Sequence, residues 1–160
     1  MGSLTNDMRR VVDEQRLGFV ATVCPDGTPN LSPKGTVSVW GDDHLVFADL
    51  CSPGTIGNLR RNPAVEINVV DPFARKGYRF KGRATVLTDG STFDEAVAFF
   101  HTRGTRSPIR SVVLVAVERV LPVLSPSYAL GATEQDLRAR WESHYLGVLR
   151  GGCSSKEARP

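Results

Sequence analysis

Six short β-rich segments joined mostly by tight turns constrain the fold more than any other feature of this sequence. Tight turns join antiparallel neighbours, whereas parallel strands need long crossover connections. The exposed edges of such a sheet must be closed or covered. The sequence therefore predicts a mainly β protein in which six antiparallel strands form a small barrel with flanking helices. The predicted strands are residues 17–23, 30–40, 44–49, 64–70, 78–88 and 111–120.

Four helices are predicted beside these strands. The first has apolar residues at helical spacing behind possible N-caps at Ser3 and Thr5. A short helix follows Thr55 and stops before Pro63, and a third begins with Ser91 as its cap. The last covers residues 133–149, after a Pro- and Ser-rich loop at 121–131. We expect one domain over residues 1–150 and a disordered tail at 151–160.

Composition excludes several classes of function. A hydrophobic content of 41% and a charged content of 23% are typical of a soluble globular protein. The net charge of +3 is spread along the chain, which argues against a nucleic-acid binder. No segment approaches about 18 continuous apolar residues, so we expect no membrane span. Cys24, Cys51 and Cys153 form no CxxC pair and the histidines no HxH pattern, which predicts free thiols, no metal site and a cytoplasmic location.

The stretch SPGTIGNLRRNP, residues 52–63, has two interpretations. Ser52 and Thr55 supply hydroxyl groups, Gly54 lets a ligand approach closely, and a helix N-terminus offers free N–H groups. Together these features favour a bound phosphate. The alternative is an ordinary turn in which Thr55 caps the helix.

Lys34 is the second candidate for the same site. The predicted hairpin between Trp40 and His44 pairs the second and third strands, so residues near Lys34 lie opposite residues near Leu50. That register brings Lys34 towards the turn at residues 52–55 and predicts one anion site. The alternative is a solvated lysine that protects an edge strand.

The order of these motifs resembles the FMN-binding split-barrel family, the pyridoxamine 5′-phosphate oxidase-like superfamily. The motifs that carry the resemblance are PDGTPN, SPKG, LVFAD, SPGTIGNLRRNP, AVEINVV and YRFKGRATVL, and the resemblance covers about residues 10–125. It implies a six-stranded antiparallel split β-barrel. It also implies a homodimer with FMN bound between the two subunits.

The resemblance further implies which residues bind the cofactor. Lys34 matches a basic position near the phosphate, while Ser52 and Thr55 match the phosphate turn. The family usually has a lysine where this chain has Thr55, and Arg60, Arg61 or Arg79 is a candidate replacement. The complete set of implied cofactor-binding residues is Ser32, Lys34, Gly35, Ala48, Asp49, Ser52, Thr55, Lys76, Tyr78 and Arg79.

The function implied by the resemblance is that of an FMN-dependent oxidoreductase acting on an unknown small substrate. No side chain is assigned a catalytic role, because the flavin supplies the redox chemistry. The Arg-and-His substrate pair of true pyridoxine phosphate oxidases is not evident near the C-terminus. One alternative is a deazaflavin-dependent reductase, with Arg75, Lys76, Arg79 and Lys81 as a basic groove for the longer acidic tail. The other is a non-enzymatic carrier or sensor of flavin or haem.

Overall fold

The computed structural model describes residues 4–151, which form two compact units. The first contains the residues up to Val70 together with Gly77–Val123, and the second contains Asp71–Lys76 and the chain from Leu124 onwards. The single domain over residues 1–150 stays a prediction. The elements are α1 (Asn6–Gln15), β1 (Gly18–Val23), β2 (Pro29–Lys34), β3 (Ser38–Trp40), β4 (His44–Asp49), α2 (Pro53–Arg61), β5 (Ala64–Asp71), β6 (Lys76–Leu87), α3 (Ser91–Thr102), β7 (Ser111–Leu124), α4 (Pro126–Ala129) and α5 (Glu134–Leu149).

The strands form one seven-stranded sheet in the order β2-β1-β5-β6-β7-β4-β3. Its two edge strands, β2 and β3, are consecutive in the chain and separated only by residues 35–37. Such a link reaches at most about 15 Å, whereas seven flat strands would put the edges about 29 Å apart. The sheet must therefore curl until its edges meet, which confirms the predicted barrel.

The strand count of six was wrong, because residues 30–40 form two strands and not one. Lys34, at the end of β2, pairs with Gly18 of β1, whereas Ser38, at the start of β3, pairs with Val46 of β4. A turn at Gly35 separates the two strands and moves the chain from one edge of the sheet to the other. The first three predicted strands therefore form two separate hairpins, β1–β2 and β3–β4.

Thr36 fastens the seam between the two edges. Its Oγ1 accepts a hydrogen bond from the Ala48 N–H at 3.0 Å and donates one to the Ala48 carbonyl oxygen at 3.3 Å. The side chain thus replaces the backbone pairing that β3 no longer provides at this point. The predicted approach of the Lys34 segment to the end of β4 is therefore preserved, although by a different contact.

The two faces of β4 are buried against different parts of the first unit. Leu45 and Phe47 belong to the barrel core, which also contains Ile67 and Phe80. Val46 and its neighbour Ala48 pack in a second cluster with residues of α3, among them Phe100. Helix α3 thus covers the outer face of β4, which explains why this strand is apolar from Leu45 to Ala48.

Three helix starts test the predicted caps, and two of them differ from the prediction. Thr5 caps α1 in a capping box, as predicted. Helix α2 begins at Pro53 with Ser52 at the N-cap, so Thr55 lies inside its first turn and is not the cap. Helix α3 begins at Ser91 itself, because Gly90, with a φ of 90°, occupies the N-cap position. The alternative cap Ser3 lies outside the described residues.

The second unit is organised around the carboxylate of Asp71. This buried side chain accepts hydrogen bonds from the N–H groups of Phe73 and Ala74 and from the Arg138 guanidinium of α5, at 2.7–3.0 Å. The loop predicted at 121–131 was wrong in part, because β7 extends to Leu124 and α4 follows it. Gly151 lies in a turn, and residues 152–160 of the predicted tail lie outside the described residues. No helix among the described residues is long and apolar enough to cross a membrane.

Candidate functional site

Asn58 fixes the position of α2 on the barrel. Its buried side chain donates a hydrogen bond to Thr22 Oγ1 of β1 at 3.0 Å and contacts Cys24 Sγ at 3.6 Å. The same Thr22 oxygen accepts a bond from Asn30 of β2 at 3.1 Å. The asparagine of the NLRRNP motif therefore joins α2 to the β1–β2 hairpin, which carries Lys34.

The start of α2 is organised by Asp49 at the end of β4. Asp49 Oδ1 accepts hydrogen bonds from the Ser52 N–H at 2.8 Å and from the Ser52 hydroxyl at 2.7 Å. The carboxylate is 5% exposed, and its other oxygen accepts a bond from Ser111 Oγ at 3.4 Å. The Ser52 hydroxyl proton is thus already used, so a ligand at this helix start would meet the free N–H groups of Gly54 and Thr55.

Thr55 is 3% exposed, and the described residues offer its hydroxyl no hydrogen bond. No buried side-chain oxygen or nitrogen among the described residues lacks a partner, so the Thr55 oxygen must reach the protein surface. A Cβ placed at the neighbouring Gly54 would meet nothing within 4 Å. The first turn of α2 therefore presents an unpaired hydroxyl beside open space, which fits a phosphate oxygen.

Lys34 is a buried cation, only 8% exposed, which contradicts the alternative of a solvated edge lysine. Its Nζ donates a hydrogen bond to Ser32 Oγ at 2.6 Å. Burial lowers the pKa of Lys34, and the negative charge of Asp49 partly offsets this effect. An ammonium group that is desolvated and only partly compensated favours the binding of an anion.

The lowered pKa of Lys34 predicts how stability depends on pH in the ligand-free protein. Between the lowered pKa and the ordinary value of 10.5, the folded protein loses this proton before the unfolded chain does. The free energy of unfolding therefore receives a contribution that rises with pH in that window. Urea unfolding at several alkaline pH values should show a steeper rise for the parent than for Lys34→Met. Equal slopes for the two proteins would contradict the buried charge.

The remaining predicted site residues lie in several places. Gly35 and Ala48 lie at the seam between the barrel edges, whereas Lys76 forms an ion pair with Glu134. Tyr78 packs against the barrel core and donates a hydrogen bond to Asp7. Arg79 is exposed on the opposite face of β6 and pairs with Glu66 at 3.4 Å. Within one chain the side chains of Tyr78 and Arg79 therefore cannot face the same ligand.

Sequence reasoning missed two residues that the fold brings to the start of α2. The pairing of β4 with β7 places Ser111 opposite Asp49, and the Arg110 N–H donates to the Asp49 carbonyl oxygen at 3.0 Å. Nothing in the local sequence marks either residue, because only the strand pairing brings them close. A cavity of about 240 Å³ lies there and also contacts Arg60.

Comparisons with known proteins agree with this fold. The family model described as "Pyridoxamine 5′-phosphate oxidase" matches residues 4–124. The solved structure of HupZ from Group A Streptococcus is 30% identical, with a TM-score of 0.69, and the match covers 76% of this chain and 94% of that chain.

Two further solved structures share the fold at lower identity. An FMN-binding protein from Syntrophomonas wolfei subsp. wolfei is 18% identical, with a TM-score of 0.66, over 76% of this chain and 87% of that chain. An F420 reductase is 21% identical, with a TM-score of 0.58, over 73% of this chain and 98% of that chain. No curated protein matches the sequence.

Proposed function

Since the chain belongs to the pyridoxamine 5′-phosphate oxidase family, we propose that it binds FMN and acts as a flavin-dependent oxidoreductase on a small substrate. The observation that carries this proposal is the buried ammonium group of Lys34, on the β1–β2 hairpin that Asn58 links to α2. A cation in this position needs a negative partner, and the FMN phosphate would supply one.

The residues at the start of α2 fit a phosphate group. Lys34 would contribute charge, Thr55 a hydroxyl donor, and the helix start its N–H groups and partial positive charge. Ser32 holds the ammonium group of Lys34 in place, and Ser52 positions Asp49. Ala48 and Gly35 lie at the adjacent seam, where backbone rather than side chains would face the isoalloxazine ring.

The chemistry would be redox chemistry at the flavin ring, with the protein supplying binding, orientation and exclusion of water. The described residues contain no group of three or more metal-ligating side chains, and the proposal needs none. Backbone N–H groups near the ring would stabilise negative charge on it. The haem or flavin carrier remains the non-enzymatic alternative, and it differs by showing no turnover with a reduced nicotinamide.

FMN is favoured over a deazaflavin because the basic groove expected for an acidic tail is already engaged in other contacts. The Arg75 guanidinium lies 4.1 Å from the centre of the Trp141 ring, and Lys76 pairs with Glu134. Lys81 pairs with Glu66 at 3.2 Å, as Arg79 does. Each of these four side chains is therefore already engaged within its own unit.

The cofactor released from the purified protein identifies which alternative holds. We expect a yellow protein whose denatured supernatant contains FMN by mass spectrometry, and FMN-dependent oxidation of a reduced nicotinamide. A deazaflavin mass in the supernatant would instead support the deazaflavin-dependent reductase. Bound FMN that shows no turnover would support the non-enzymatic carrier.

We also propose a homodimer, and the outer face of the β1–β2 hairpin supports it. Phe19, Val23 and Leu31 are 43%, 37% and 64% exposed, and Leu31 pairs across the hairpin with Ala21. A contiguous apolar patch of this kind marks an interaction surface. We expect this patch to contribute to a two-fold interface of about 2,000 Å² or more in total.

The dimer proposal predicts a mass of twice the chain in light scattering at micromolar concentration. Leu31→Lys should shift the mass towards the monomer, because a charge at the interface loses its water without gaining a partner. Leu130→Lys is the matched control, since Leu130 is also exposed, at 88%, but lies in the second unit. A monomeric parent that retains FMN would contradict this proposal.

A further inference from the structure

A second feature lies on the exposed side of α2, and we call it the α2–β7 notch. It is a cavity of about 240 Å³ between Pro53, Gly57 and Arg60 of the helix and Arg110 and Ser111 at the start of β7. The three helix residues are spaced by four and three positions, so they share one face. A Cβ added at Gly57 would meet nothing within 4 Å, so the helix side of the notch is open.

Both arginines of the notch lack an acidic partner. Arg60 and Arg110 are exposed, and no carboxylate among the described residues forms an ion pair with either guanidinium. This contrasts with Arg79 and Lys81, which share Glu66. The positive charge of the notch is therefore available to a ligand.

Asp49 lines the same cavity but does not neutralise these arginines. Its two oxygens accept bonds from Ser52 and Ser111, and it also interacts electrostatically with Lys34. The hydrogen bond from the Arg110 N–H to the Asp49 carbonyl oxygen fixes the backbone from which the Arg110 side chain extends. The Arg110 backbone is thus anchored to the end of β4, whereas its guanidinium stays unpaired.

The charge around the notch matches one phosphate group. Arg60 and Arg110 line the notch with two positive charges and Asp49 lines it with one negative charge, on which the positive charge of Lys34 also acts, so positive charge exceeds negative charge here. A phosphate monoester carries about −1.5 to −2 at neutral pH. The notch also opens beside Pro53, the first residue of α2, where the helix dipole adds partial positive charge.

We propose that the α2–β7 notch is a binding subsite for a phosphate group, with Arg60 and Arg110 donating hydrogen bonds to it from opposite sides. Guanidinium groups suit this role because their planar donors match phosphate oxygens in pairs. The phosphate can come from two sources. One is the phosphate of FMN, in which case this inference rests on the proposed function, and the other is a second phosphate-bearing ligand.

The test compares Arg60→Ala, Arg110→Ala and the double variant with the parent. Arg106→Ala is the matched control, because Arg106 is another exposed arginine, lies in the segment before β7 and does not line the notch. Calorimetric titrations use FMN, riboflavin, which lacks the phosphate, and inorganic phosphate, which is added both to the FMN-free and to the FMN-saturated protein. Thermal melting checks that every variant folds. Arg60→Lys should retain part of the affinity that Arg60→Ala loses, because lysine keeps the positive charge.

If the notch binds the cofactor phosphate, FMN affinity falls about ten-fold or more in each notch variant, whereas riboflavin affinity does not change. If it binds a second ligand, FMN affinity is unchanged and the affinity for inorganic phosphate falls instead. Either result supports the subsite. Unchanged affinities for both probes, or an equal loss in Arg106→Ala, would overturn it. A parent that binds inorganic phosphate in the notch but not FMN would refute the proposed function and leave the subsite standing.

Discussion

Lys34→Ala is expected to weaken FMN binding by about ten-fold to more than a hundred-fold. The proposed contact is a charge-assisted hydrogen bond from a buried ammonium group to the phosphate, and such bonds contribute about 1.5–3 kcal/mol. Because Lys34 is only 8% exposed, mobile ions screen the contact weakly. The loss should therefore persist at high salt. Riboflavin affinity should change little, since riboflavin has no phosphate.

Lys81→Ala is the control for this measurement, because Lys81 is an exposed lysine on the outer face of β6 that pairs with Glu66. Fluorescence titration of FMN should give parent-like affinity for this variant. Lys34→Ala should therefore have opposite effects on two quantities. It should lower the affinity for FMN, and it should raise the stability of the ligand-free protein because it removes a desolvated charge. If Lys34→Ala bound FMN as the parent does, Lys34 would have no role in holding the phosphate.

Gly82→Ala is expected to lower the free energy of unfolding by about 1–3 kcal/mol or more. A Cβ at this position of β6 would lie against the carbonyl oxygen of Ala116 in β7, well inside van der Waals contact. Neither group is the end of a flexible side chain, so the two strands would have to separate. Urea unfolding of the ligand-free protein measures the change directly.

Gly57→Ala is the control, because a Cβ at this position of α2 would meet nothing within 4 Å. Alanine is a better helix former than glycine, so this variant should gain about 0.5–1 kcal/mol. A small effect of Gly82→Ala, comparable to that of Gly57→Ala, would mean that β6 and β7 are not packed as closely as the structure has them.

Gly82 also shows what the sequence could predict of the fold. A glycine that interrupts the alternating pattern of a strand indicates a bulge or a close approach of backbone, and the backbone of Ala116 does lie close to Gly82. The alternation in β5 likewise separates its two faces, and Val65, Ile67 and Val69 are the buried set. These features are local, so each is readable from a short window of sequence.

The split of residues 30–40 was not readable in the same way. Pro33 and Gly35 interrupt the run of β-formers, but a bulge in one continuous strand would have accommodated them equally well. The break is imposed by barrel closure, which is a property of the whole sheet. The approach of Lys34 to the end of β4 was nevertheless predicted. It is preserved in the structure because the Thr36 side chain bonds to Ala48 where the backbone of the two strands is not paired.

The residues of the candidate site likewise differ in whether a short window of sequence reveals them. Lys34, Ser52 and Thr55 were identified because they belong to two contiguous motifs. Arg110 and Ser111 were missed, because the pairing of β4 with β7 joins positions about sixty residues apart. The predicted role of Thr55 as a helix cap failed for a local reason: Pro53 begins the helix two residues earlier, with Ser52 before it.

A crystal structure of the protein with FMN tests the central claim most directly. The account predicts electron density for the phosphate at the first turn of α2, with Lys34 Nζ at a hydrogen-bond distance of about 2.7–2.9 Å from a phosphate oxygen and the Thr55 hydroxyl donating to the same group. Density for FMN with its phosphate away from both α2 and Lys34, or no density for FMN at saturating concentration, would contradict it.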